Sequence, residues 1–146
     1  MTCYTHALIL VNDRDDGIPL LNWASSLAQQ LDIKLTLAHI SEDYREMNYV
    51  SDSLMNDTVS EEVIKAKAFM SELVTSVPTM VNARELVTIN RFEGVAKCIV
   101  DLGVDLVIAG HHNRFMGMLA SRSIEYINHI TTDVLIIHLK NEPAMY

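Results

Sequence analysis

Gly110-His111-His112, directly after the apolar run Leu106-Val107-Ile108-Ala109, is the stretch whose residue types come closest to chemistry. An apolar run that ends at a glycine and gives way to a helical pattern reads as a parallel strand entering a turn. In open α/β sheets ligands collect at such strand ends. Glycine there permits positive φ and close approach of the backbone, so that amides face an anion. His111 and His112, with His39 at the end of an earlier apolar run, bring three imidazoles toward the same end of the sheet. Adjacent residues of an extended segment point to opposite sides, so His111 and His112 cannot easily hold one ion, and no further ligand stands at a useful spacing. They are read as hydrogen-bonding groups that fix the loop, and no metal is expected.

Other reactive residue types are placed where chemistry is poorly served. Ser121 and Ser123 fall within a helical pattern, without the sharp strand-to-helix elbow that activates a serine, and are read as capping or packing residues. Cys3 and Cys98 are the only two cysteines. They show neither zinc nor CxxC spacing and are read as reduced thiols, not nucleophiles. Asp13, Asp15 and Asp16 precede a helix and suit its N-terminal dipole better than a cation site. No catalytic set emerges, and the chain is not expected to be an enzyme.

The elements that must position these residues alternate along the chain. His6 to Val11 is a nearly continuous apolar run, expected of a strand covered on both faces. Asn12 to Gly17 supplies turn and capping residues, Pro19 suits a first helical turn, and Leu20, Trp23, Ala24, Leu27, Ala28 and Leu31 recur at helical spacing, so that one face is expected to be apolar. Lys34 to Ile40 is a second strand. A long polar segment follows, in which a short irregular helix around Tyr44 to Leu54 is equally plausible. Thr58 and Glu61 have capping-box spacing, and Ala66, Met70, Leu73 and Val77 continue a helix that ends before Pro78. Glu85 to Ile89 is a third strand, and Phe92, Val95, Ile99 and Leu102 mark a third helix closed by Gly103. Asp105 to Ala109, a fourth helix over Phe115 to Ile130, and Val134 to Leu139 complete the chain. The pattern is one α/β domain with right-handed crossovers, whose strand order periodicity alone does not give.

Composition narrows the partners. With 146 residues, 49% hydrophobic and 21% charged, the chain is sized for one domain with its own core. A formal charge of −8, with only 11 scattered lysines and arginines, opposes a phosphate backbone, so no nucleic acid is expected. No apolar stretch nears the roughly 20 residues of a membrane span, and Met1 to Asn12 lacks the pattern of a secretory leader. The reading is a cytoplasmic protein without membrane contact.

Taken in order, Tyr4-x-His6, Leu35-Thr36-Leu37-Ala38-His39-Ile40, Asp105-Leu106-Val107-Ile108-Ala109-Gly110-His111-His112, then Phe115, Leu119, Ser121, Ile127, Asn128 and Asp133-Val134-Leu135-Ile136-Ile137-x-Leu139, resemble the universal stress protein family in its UspA-like branch. The resemblance spans essentially the whole chain. It implies a Rossmann-like, open five-stranded parallel sheet in the order 3-2-1-4-5, with helices on both faces and a role in stress resistance through protein contacts. It also implies a homodimer through antiparallel pairing of the last strands, at Val134, Leu135, Ile136, Ile137, His138 and Leu139, with heterodimers between paralogues as an extension. An apolar edge strand left bare would be unusual, so self-pairing agrees with the local reading; a covering tail, Asn141 to Tyr146, is the alternative.

Some relatives of this family bind ATP through a loop of the form G-x2-G-x9-G-[ST] after the fourth strand. Gly110 matches the first glycine, but Asn113 stands at the second, Ser123 at the third and Ile124 at the hydroxyl position. Asn12 stands where the binders carry an aspartate, with Asp13 beside it. The resemblance therefore implies the branch that does not bind ATP, and no cofactor is expected. A nucleotide, ATP or AMP, held by a modified loop is the alternative, and it would draw on Asn12, Asp13, Ile40, Gly110, His111, Asn113, Ser121 and Ser123. The resemblance also makes Ser121 and Ser123 candidates for phosphorylation.

Overall fold

The computed structural model describes residues 4–11, 14–42, 52–88, 90–112, 127 and 129–139. Five strands form one sheet in the order β3-β2-β1-β4-β5: β1 His6–Val11, β2 Lys34–Glu42, β3 Val81–Thr88, β4 Leu106–His112 and β5 Asp133–Leu139. Every neighbouring pair is parallel. The helices are α1 Arg14–Leu31, α2 Asp52–Thr75 and α3 Arg91–Leu102. This is the α/β architecture and strand order expected above.

The sheet separates two apolar layers, as period-2 alternation requires of a strand buried on both faces. Ala7, Ile9 and Val11 of β1 join Leu35, Leu37, Leu106 and Ile108 beneath α1 and α2. Leu8 and Leu10 join Ala38, Val107, Val95, Cys98 and Ile99 on the face covered by α3. Ala7, Leu8 and Ile9 are wholly buried, which makes β1 the centre of the fold.

Several boundaries differ from the periodicity reading. α1 begins at Arg14, so Gly17 lies inside the helix instead of in a turn, and Pro19 falls in its second turn. Gly17 is buried because α2 passes close by: a Cβ built there would stand 2.5 Å from Leu73 Cδ1. α2 starts at Asp52 and runs through the expected Thr58 cap, since no glycine or proline between the two interrupts it. β3 starts at Val81, four residues early, because Leu35 to Glu42 of β2 offers a ladder from Val81 to Thr88. α3 ends as read, at Gly103 with φ 66°, and its start is fixed by a cap the periodicity did not single out, the Asn90 side chain accepting from the amides of Phe92 and Glu93.

The most consequential difference is β4, which does not stop at Ala109. Gly110, His111 and His112 pair with Ile137, His138 and Leu139, so Gly110 is a strand residue and not the turn expected there. Of the expected fourth helix, Ile127 and His129 are helical, while 115–126 and 128 lie outside the described residues.

Candidate functional site

The residues of the resemblance divide between the two ends of the sheet. At the N-terminal end of the strands, Asp105 accepts hydrogen bonds from the amides of Thr5 and His6 and from the Thr5 hydroxyl, at 2.9–3.0 Å. Burial opposes its charge, but those donors outweigh it and hold the carboxyl below the usual carboxylate range. His6 Nδ1 donates to the Leu102 carbonyl at the end of α3, which leaves Nε2 to accept from the Thr36 hydroxyl at 2.7 Å. The Tyr4 hydroxyl donates to Asp133 at 2.9 Å, tying the chain before β1 to the start of β5. Tyr4, His6, Asp105 and Asp133 are therefore anchors of the fold, at the end remote from any ligand crevice.

At the opposite end β1 stops at Val11, while its neighbours β2 and β4 run on to Glu42 and His112. Leu10 pairs with Ala38 on one side and Ala109 on the other, so Ile40 and His111 each stand two residues past that level and on the same face. Two strand spacings separate them, about 10 Å. They stand on either side of β1, past the level at which it ends, at the switch point where doubly wound sheets commonly take their ligands. Both side chains are half-buried, and Ile40 packs against the apolar layer under α3. Asn12, Asp13, Asn113, Ser121 and Ser123, the other candidate residues, lie outside the described residues.

Gly110 faces the other layer, and its role there is packing. A Cβ on it would run into Leu139 Cδ1 and lie 3.0 Å from Leu139 Cγ. The missing side chain is space that Leu139, the buried last residue of β5, occupies.

The histidines do not converge. His111 meets His138 of β5 edge to face, with ring centroids 5.5 Å apart. His39 belongs to the opposite layer, where its Nδ1 lies 2.9 and 3.0 Å from the two Glu85 oxygens and its ring meets Phe69 edge to face at 5.3 Å. Among the described residues no group of three His, Cys, Asp or Glu side chains could hold a metal. The Glu85 side chain is only 2% exposed, so this pair is a buried polar contact between β2 and β3. Periodicity does not disclose it; the parallel register that sets His39 opposite Glu85 does.

Cys98 is buried beneath α3, and burial pushes its thiol up, partly offset by the Arg84 guanidinium that hydrogen-bonds it. That is an inert thiol. It floors a groove of about 460 Å³ between β3 and α3, lined by Arg84, Glu93, Lys97 and Asp101 among others. No described helix is long and apolar enough to cross a membrane.

The model of the universal stress protein family matches residues 4–138. The universal stress protein A homolog of Haemophilus ducreyi is 28% identical over 143 residues, covering 95% of this chain and 99% of the relative. Universal stress protein A of Escherichia coli K12 is 28% identical over 147 residues, covering 95% and 97%. The solved structure of UspA from Lactobacillus plantarum superimposes with a TM-score of 0.72 at 17% identity, covering 92% of this chain and 97% of that one. Two further solved universal stress proteins of this fold, each at a TM-score of 0.63, are complexes with cAMP and, from Archaeoglobus fulgidus, with dAMP.

Proposed function

Since the chain belongs to the universal stress protein family, we propose that it contributes to stress resistance in the cytoplasm as a homodimer joined along β5, through protein contacts and without catalytic turnover. The observation that supports this is the contrast between the two edges of the sheet. β3 is protected: Glu85 turns inward to His39, a charge that an added strand would have to accommodate, and Asn82 and Arg84 are exposed beside it. β5 has no such device over Val134 to Ile137, which are apolar and half-buried, and among the described residues no strand pairs with its outer side. An open apolar edge is a liability unless it pairs, and a second copy supplies a matching strand at no extra cost in sequence. A paralogue with an equally apolar last strand would fit the same edge.

Replacing Ile136 with proline removes a ladder donor from β5 and is expected to yield monomer or insoluble protein in sedimentation velocity. A soluble dimer of unchanged mass would refute pairing along β5. The absence of turnover is supported by the engagement of Asp105, Glu85 and Cys98 in structural contacts.

A second reading, nucleotide binding at the crevice between Ile40 and His111, is favoured by the early end of β1 and by the cAMP and dAMP complexes of proteins with this fold. Titration calorimetry with Mg-ATP, ADP and AMP separates the two. Micromolar heats would make the protein a nucleotide-linked regulator; none are expected on the first reading.

A further inference from the structure

The β5 ladder is too narrow to hold a dimer by itself. Seven residues at about 3.3 Å each make an edge about 23 Å long and one strand spacing, about 5 Å, across. A stable interface buries roughly 800 Å² per partner, so side chains on both faces of β5 must contribute. Resting on the homodimer reading, we propose that Trp23 and Ile127 flank β5, one on each face, and close over the second copy of the chain.

Trp23, expected from its spacing on the apolar face of α1, is instead 41% exposed, unusual for the largest apolar side chain. At 100° per residue, Trp23, Leu20 and Leu27 share one flank of α1 and Ser25 lies on the other. Ser25 bonds to Thr79, between α2 and β3, so its flank faces α2. The Trp23 flank is turned the opposite way, toward β5, against which α1 also packs. Leu27 already shares the apolar layer with Leu135 and Ile137 of β5. On the other face Ile127 is 53% exposed and stands three residues before Ile130, which packs with Val134 in the layer under α3. The more exposed Ile64 and Val100 belong to α2 and α3, which pack against β3, at the protected edge. A two-fold interface uses each patch twice, so four such side chains would frame the paired strands. Tryptophan is the residue type most enriched among side chains that dominate interfaces.

Trp23 is the only tryptophan, so the wild-type full-length chain reports on the proposal directly. A dilution series is followed by sedimentation and by tryptophan emission in parallel. Emission is expected to move to shorter wavelength, and acrylamide quenching to fall, over the concentrations at which the mass doubles. Trp23→Ser and Ile127→Ser should each raise the dimer Kd at least tenfold, with unchanged circular dichroism. If the wild-type dimer forms and Ile136→Pro abolishes it, while emission stays flat and Trp23→Ser keeps the wild-type Kd, the flanks are excluded and the ladder stands. A chain that stays monomeric at every concentration overturns both the flanks and the homodimer.

Discussion

Replacing Gly110 with alanine sets one methyl group against Leu139. The new Cβ would be 3.0 Å from Leu139 Cγ and closer still to Cδ1, well inside ordinary contact. Leu139 is 7% exposed and ends β5, so its cheapest response is to swing out of the layer under α1. Full loss of a buried leucine side chain costs about 2 kcal/mol in transfer alone. Alanine in a strand recovers about 0.5–1 kcal/mol of the glycine's excess entropy. The net expectation for Gly110→Ala is a destabilisation of about 1–1.5 kcal/mol. Leu139→Ala alone should cost about 2–3 kcal/mol, since a buried leucine is truncated near a strand end. In the Leu139→Ala background the added methyl meets open space, and Gly110→Ala should become neutral or stabilising by about 0.5 kcal/mol. The cycle, read from urea unfolding with unchanged m-values, should give a coupling of about 1–2 kcal/mol. Additive costs would refute the packing role of Gly110. The Leu139→Ala background also separates packing from ligand contact: if Gly110 serves a bound nucleotide, Gly110→Ala should lower affinity there even though it no longer lowers stability.

Two further outcomes follow from the polar contacts. His39→Ala removes the imidazole that faces the buried Glu85 carboxylate and should cost about 3 kcal/mol, while the double change to His39→Leu and Glu85→Leu should cost less than either single change, in thermal or urea unfolding; a double variant as unstable as the sum of the singles would contradict this. Asp105→Ala removes acceptors from two amides and a hydroxyl. Because the folded carboxyl titrates below its unfolded value of about 3.9, the stabilisation is present above that pH and is lost as pH falls through the folded value. The variant should thus be weaker than wild type by about 1 kcal/mol at neutral pH, and the gap should narrow as pH falls below the unfolded value and close below the folded one. A gap that does not narrow as the solution is acidified would show that Asp105 acts through something other than its charge.

What local sequence could determine, it determined well. The apolar runs at His6 to Val11 and Leu106 to Ala109 identify strands buried on both faces, and Gly103 closes α3 because a C-cap is local chemistry. The apolar character of β5 is likewise readable in order, whereas the inward turn of Glu85 on β3 is not, because it depends on the register that sets it opposite His39. The order of the strands came from resemblance, since periodicity says which face a residue takes but not which strand lies beside it.

Only the tertiary structure decided how far each strand runs and which polar groups meet. β4 continues past Gly110 because β5 reaches Leu139 and supplies hydrogen bonds for it, and β3 begins at Val81 because β2 does the same. A strand end depends on its partner's reach, a property of neither segment alone. For the same reason Gly110 looked like a hinge for the backbone and is instead room for Leu139. His39 and His111, grouped by their positions at strand ends, are parted by the alternation of β2 and β4 across the sheet. One pairs with Glu85 under α2 and the other meets His138 on the far side. The physical reason is that a sheet brings residues together by register and parity, and register is set by the packing of the whole chain.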